Sequence, residues 1–131
     1  MKIKQFIKNN KITMTYKVVG HNPNIIKDQW SNNSTHLKCL LKTPKKQMTI
    51  YFSQGPLCDE VTAEDVLDCL AMDSYTVENH LSLDEFMSEY GYTSCKDAKQ
   101  VRDAIYKNYN KVLKFLGRQQ FDILINEVER L

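Results

Sequence analysis

Three histidines, four cysteines and a dense set of carboxylates are the residues of this 131-residue chain that could do chemistry. His21, His36 and His80 with Cys39, Cys58, Cys69 and Cys95 are enough side chains for a zinc site, but their order matches no zinc-binding pattern. Cys58 with His80 and an acid could be drawn as a nucleophilic triad, yet any chain with three histidines permits such a drawing. Ser53, in "FSQGP", stands at a strand end without the strand–Ser–helix elbow of a hydrolase. The carboxylates of "AEDVLD", Ala63 to Asp68, have the right type for paired acid–base work, but no aromatic-lined cleft is implied around them. Four scattered glycines leave no phosphate loop. These residues point to a protein without catalytic residues, metal or cofactor.

The elements that carry them divide the chain in two. Up to Gly55 the hydrophobic period is two. Ile12, Met14, Tyr16 and Val18 share one face of "KITMTYKVV", Leu37, Cys39 and Leu41 one face of "HLKCLLK", and Met48, Ile50 and Phe52 one face of "QMTIYFS". That alternation marks strands with one covered face. "TPKK" between the last two runs presets a turn through Pro44, so they form an antiparallel hairpin. "GHNPNIIKDQWSNNST" is a polar loop.

Past Gly55-Pro56 the period becomes helical. Thr62, Ser82 and Ser94 are N-caps, each with an acid three residues on: Asp65, Glu85 and Asp97. Val61 with Val66 and Leu81 with Phe86 make hydrophobic staples. Ala98, Val101, Ile105, Tyr109, Val112 and Leu116 form the stripe of a long helix that Gly117 stops. A last helix faces inward with Phe121, Leu124, Ile125, Val128 and Leu131. The expectation is a single α+β domain. Its sheet of about three strands lies in a mainly β segment, 1–55, and about four helices from 56–131 pack on it. Cys39 and Cys69 fall on or beside apolar stripes and are expected in the core, whereas Cys58 is the thiol expected outside. No apolar run approaches the ~20 residues needed to span a bilayer, and the basic N-terminus lacks a signal-peptide core. The cytoplasm, with reduced cysteines, is the expected setting; an even cysteine count would also permit two disulfides in an exported chain.

The formal charge of +2 hides a segregation. Residues 1–50 hold ten lysines against one acid, Asp28, while residues 51–100 hold eleven acids against Lys96 and Lys99. Five of those acids, Glu64, Asp65, Asp84, Glu85 and Asp97, sit in first helical turns, where the helix dipole favours them by about 0.3–1 kcal/mol each. The rest include Asp59, Glu60, Asp68 and Asp73, gathered around the first capped helix. Glu64 and Asp68, four apart, repel by a few tenths of a kcal/mol. This acidic edge is either a solvated surface or a contact face. Likewise Lys38, Lys42, Lys45 and Lys46, with Tyr51 outward among them, either guard the sheet against edge pairing or track a phosphate backbone. No arginine precedes Arg102, which argues against base-specific reading. Trp30, Tyr90 and Tyr92 either plug the edge of the core or anchor an interface.

Three segments together, "MTIYFSQG", "TAEDVLDCLAMD" and "EFMSEYGY", resemble an abundant group of small phage- and prophage-encoded proteins without assigned enzymatic activity. The likeness runs from Leu37 to Leu116 and rests on order and spacing. The group more often carries acids and a base after the Gly-Tyr pair, where this chain has Thr93, Ser94 and Cys95, which argues against an ion-binding loop there. The resemblance implies an inhibitor of host defence, including anti-CRISPR proteins that fill a basic nucleic-acid channel with carboxylates or clamp a nuclease domain. Under that reading a CRISPR effector nuclease or its complex is the partner, met by Asp59, Glu60, Glu64, Asp68 and Asp73 with Tyr90 and Tyr92 as anchors. The alternative is a nucleic-acid-binding accessory protein using Lys38, Lys42, Lys45, Lys46 and Tyr51. Neither reading involves a membrane.

Overall fold

Period-two alternation puts Leu37, Cys39 and Leu41 on one side of a strand, and in the computed structural model all three are fully buried. Residues 2–23, 35–54, 60–79 and 82–129 are described. Among them the chain runs α1 (Lys2–Asn10), β1 (Thr13–Val19), β2 (Thr35–Lys42), β3 (Gln47–Gln54), α2 (Ala63–Glu78), α3 (Leu83–Tyr90), α4 (Cys95–Leu116) and α5 (Arg118–Glu129). The strands form an antiparallel sheet in the order β1-β2-β3, an α+β arrangement. Met14 pairs with Leu41 and Leu41 with Met48; Tyr16 pairs with Cys39 and Cys39 with Ile50. Every inward residue of one strand therefore meets an inward residue of the next, so the pleat and the hydrophobic pattern agree on one register.

Thr43 closes the hairpin. Its N–H donates to the Lys46 carbonyl at 2.9 Å, and its Oγ1 accepts from the N–H groups of Lys45 and Lys46 at 3.4 and 3.1 Å. The hydroxyl satisfies turn donors that the ladder cannot reach. Val18 shares the inner face by alternation yet is 61% exposed, near the end of the edge strand β1.

Two clusters make up the interior. The larger joins the inner sheet face to Ile3 and Phe6 of α1, Val66 to Ala71 of α2, Val112 and Phe115 of α4, and Phe121 to Ile125 of α5. The smaller lies where α3 meets α2 and α4, around Val77, Phe86, Ala98 and Ile105. The expected stripe of α4 holds, with Ala98, Ile105 and Val112 buried and Val101, Tyr109 and Leu116 half-buried. Gly117 ends α4 at φ 80°, its N–H donating to the Leu113 carbonyl at 2.8 Å. Val128 and Leu131 are outside the residues whose side chains are described, as is Leu81 of the second staple.

One expectation needs correction, and one element is added to those expected. Residues 2–10, ahead of the strands in the mainly β segment, form a helix, with Ile3 and Phe6 turned into the core and Ile7 packed against it. Two local bonds stop it, Lys11 N–H to Lys8 O at 3.2 Å and Ile12 N–H to Ile7 O at 3.0 Å, with Lys11 in the left-handed region at φ 53°. This is a Schellman ending built without glycine. Cys69, expected inside, is exposed. The buried stripe of α2 is Val66, Leu67, Leu70, Ala71, Ser74 and Val77, and position 69 falls outside it.

Candidate functional site

The acidic edge begins where α2 begins. Thr62 and Asp65 complete a capping box: Thr62 Oγ1 accepts from Asp65 N–H at 3.2 Å, and Asp65 Oδ2 accepts from Thr62 N–H at 2.9 Å. Such a cap contributes about 1 kcal/mol and commits Asp65 to local work. One residue earlier, Val61 N–H donates to the Tyr16 hydroxyl at 3.3 Å, which fixes the start of α2 against β1. Glu60 and Asp68 are exposed and Glu64 is half-exposed. Asp59 is outside the described residues.

Farther along α2 the carboxylates meet α3. A second capping box, Ser82 with Glu85, starts α3 and turns Phe86 fully inward. Tyr90 stacks on Phe86 at 4.3 Å and Tyr92 at 6.3 Å. Gly91, at φ 72°, lets the chain reverse so that Tyr92 N–H reaches the Met87 carbonyl at 2.9 Å. Both tyrosine rings are half-buried packing groups, while the Tyr90 hydroxyl lies 3.1 Å from Thr76 Oγ1 and donates to Asp73 Oδ1 at 3.4 Å. An open cavity of about 360 Å³ lies along this seam, lined by Asp68, Cys69, Met72, Asp73 and Thr76 of α2 and by Glu89 and Tyr90 of α3. Met72, 49% exposed, gives it an apolar lip.

Burial pushes the Asp73 carboxyl up to about 7, against the Tyr90 hydrogen bond, which favours the ionised form. Burial, then the charges of Glu64 and Asp65, also holds Asp68 above its ordinary value. Tyr90 is raised to about 12, first by burial and then by the Asp73 charge. Cys69 rises to about 11 through burial and the charges of Asp73, Asp68 and Asp65. Burial is the leading cause of all four shifts, and neighbouring carboxylates add to it at Asp68, Cys69 and Tyr90. Arg118 forms ion pairs with Glu78 at 2.8 Å and with Asp122 at 3.1 Å. Neither joins an acid of this seam to a lysine of the sheet.

The basic residues lie on the other side of the sheet. The register sets Lys17 opposite Lys38 and Lys38 opposite Tyr51, so the three form one cross-strand row. The next row is Thr15, Leu40 and Thr49, and the one after it Thr13, Lys42 and Gln47. Lys42, Lys45 and Lys46 are exposed; Lys38 and Tyr51 are half-buried. Sequence reading missed the contribution of α4, which comes alongside β3. Asn108 Nδ2 donates to the Tyr51 carbonyl at 3.4 Å, Lys111 Nζ to the Thr49 carbonyl at 2.8 Å, and Lys46 Nζ to the Lys114 carbonyl at 3.2 Å. The available signal was the spacing of Lys107, Lys111 and Lys114, which puts all three on one face of α4.

Among the described residues no three His, Cys, Asp or Glu side chains come together to hold a metal, and no helix is long and apolar enough to cross a membrane. Cys58, His80 and Trp30 are outside the described residues. This chain matches no protein-family model, no curated protein and no solved structure.

Proposed function

We propose that this protein is a non-enzymatic inhibitor that acts by stoichiometric contact, its α2–α3 face occupying a basic, nucleic-acid-binding surface of another protein. Glu60, Glu64 and Asp68 supply the charge, Asp73 adds to it as an arriving cation draws off its proton, and Met72 and Tyr90 supply apolar area beside them. The carrying observation is the seam between α2 and α3, where Asp68, Asp73 and Glu89 share one cavity with no cation among its described lining residues. An arriving lysine or arginine provides the missing countercharge, which strengthens long-range attraction and orients the encounter. The resemblance to phage proteins supports a host defence component as the partner, and a CRISPR effector nuclease as its most specific form. Such an enzyme carries the kind of basic channel that this face complements.

The test is mixing with a purified CRISPR effector nuclease, read by size-exclusion chromatography and by inhibition of target cleavage. A one-to-one complex that weakens with salt is expected, and Glu64→Lys with Asp68→Lys should weaken it at least ~10-fold, the equivalent of about 1.4 kcal/mol. Both positions lie at the surface, so circular dichroism of the variant should be unchanged. Full inhibition by the folded double variant would refute the acidic-face reading.

A further inference from the structure

A second groove system, on the basic side, carries an inference independent of the acidic seam. One groove of about 390 Å³ crosses the outer sheet face over Thr15, Leu40 and Thr49, with Lys17 and Lys38 along it. Another of about 450 Å³ lies between β3 and α4, with Met48 and Phe115 as its floor and Lys46, Lys111 and Lys114 around it. The two share Gln47 and Thr49, so they join across β3 into one trough. Among the described residues, no acid lines either groove.

Three features say what fits it. Lys17 and Lys38 face each other directly across β1 and β2, an arrangement that costs stability unless an anion lies between or above them. Lys46 and Lys111 each give one ammonium hydrogen to a main-chain carbonyl, which ties the group to the groove wall and leaves two donors for a ligand. Tyr51 stands next to Lys38 in the same row, an aromatic face between positive charges. An acidic protein segment would use the lysines but leave Tyr51 and the apolar floor idle. A nucleic-acid duplex would keep its bases stacked away from both, and lysines without arginine give no base-edge reading.

We infer that the trough from Lys17 and Lys38 across β3 to Lys111 and Lys114 binds a single-stranded nucleic acid without sequence preference. The lysines track phosphates, while Tyr51, beside Lys38, and Leu40 on the same sheet face receive unstacked bases. Five lysines imply a log–log salt slope of about −3 to −4 for a single strand.

The experiment is fluorescence anisotropy of a short labelled oligothymidine against salt. Binding with that slope is expected. Lys17→Gln with Lys114→Gln, which spares the Lys111 tie to Thr49, should weaken it at least ~10-fold and flatten the slope by about 1.4. Tyr51→Leu should weaken it several-fold with the slope unchanged, a result that loss of charge cannot produce. Retained melting temperatures show that each variant is folded. No binding at low salt overturns the inference. So does tighter binding of duplex than of single strand, or equal competition by polyglutamate together with an unchanged Tyr51→Leu variant, which would assign the trough to an acidic protein.

Discussion

The Tyr90 hydroxyl of α3 donates to the Asp73 carboxylate of α2 at 3.4 Å, on the side where Tyr90 stacks against Phe86. One tyrosine thus connects the smaller core cluster to the acidic seam. The protonation of Asp73 and the docking of α3 on α2 are linked through it.

Stability should depend on pH through this pair. Asp73 titrates near 7 in the folded chain against an ordinary 3.8. Between those values the folded form keeps a proton that the unfolded chain has lost, so stability is highest below about 4 and falls as pH rises through about 7. Asp68 acts in the same direction. With solvent screening of the half-buried group, the Asp73 share is about 1–2 kcal/mol. Thermal melts of wild type and Asp73→Asn should therefore converge near pH 4 and separate above pH 7, with the variant the more stable at high pH. A gap that does not change with pH would contradict the raised titration of Asp73.

Ser74 offers a stabilising substitution. It is 1% exposed within α2, and its Oγ has no hydrogen-bond partner among the described residues. A buried unsatisfied hydroxyl costs about 1–3 kcal/mol, and alanine is the better helix former. Ser74→Ala should raise the denaturation midpoint by an amount equivalent to about 1 kcal/mol at an unchanged m-value. A lower midpoint would mean that the hydroxyl is satisfied in solution.

Backbone conformation predicts a pair of opposite effects. Lys11 holds φ 53° at the end of α1, where a side chain costs about 1 kcal/mol relative to glycine. Gly91 holds φ 72° at the end of α3, where an added Cβ costs about as much. Lys11→Gly should stabilise and Gly91→Ala destabilise, each by about 1 kcal/mol in chemical denaturation. Equal and same-signed changes would show that local backbone strain is not the governing factor.

The cysteines should separate by environment. Cys69 and Cys95 are both exposed, but burial and three nearby carboxylates raise Cys69 to about 11, and Cys39 is raised to about 11 within the core. Alkylation at pH 8, followed by mass spectrometry, should modify Cys95 before Cys69 and reach Cys39 only on unfolding. Asp73→Asn should speed the reaction of Cys69 by removing one of those charges.

Much of the fold was legible because its causes are local. Alternation in Leu37–Leu41 and Met48–Phe52 depends on pleat geometry alone, and Thr62, Ser82 and Ser94 cap their helices through bonds spanning three residues. The charge segregation was likewise written into the order of residues. What composition and spacing left open depended on the direction in which packed elements face. The helix at residues 2–10 holds its place by burying Ile3 and Phe6 under α2 and α5, contacts made with residues more than fifty positions away. Cys69 turned outward because the core stripe of α2 runs through Leu70 and Ala71, and only the docked helix decides which side meets the sheet. Lys111 reached the Thr49 carbonyl of β3, and Lys46 the Lys114 carbonyl of α4, across more than sixty residues, and Asp73 met Tyr90 only once α3 had folded back on α2. Local hydrogen-bond and periodicity rules set the elements; burial between distant elements set which charges share a surface.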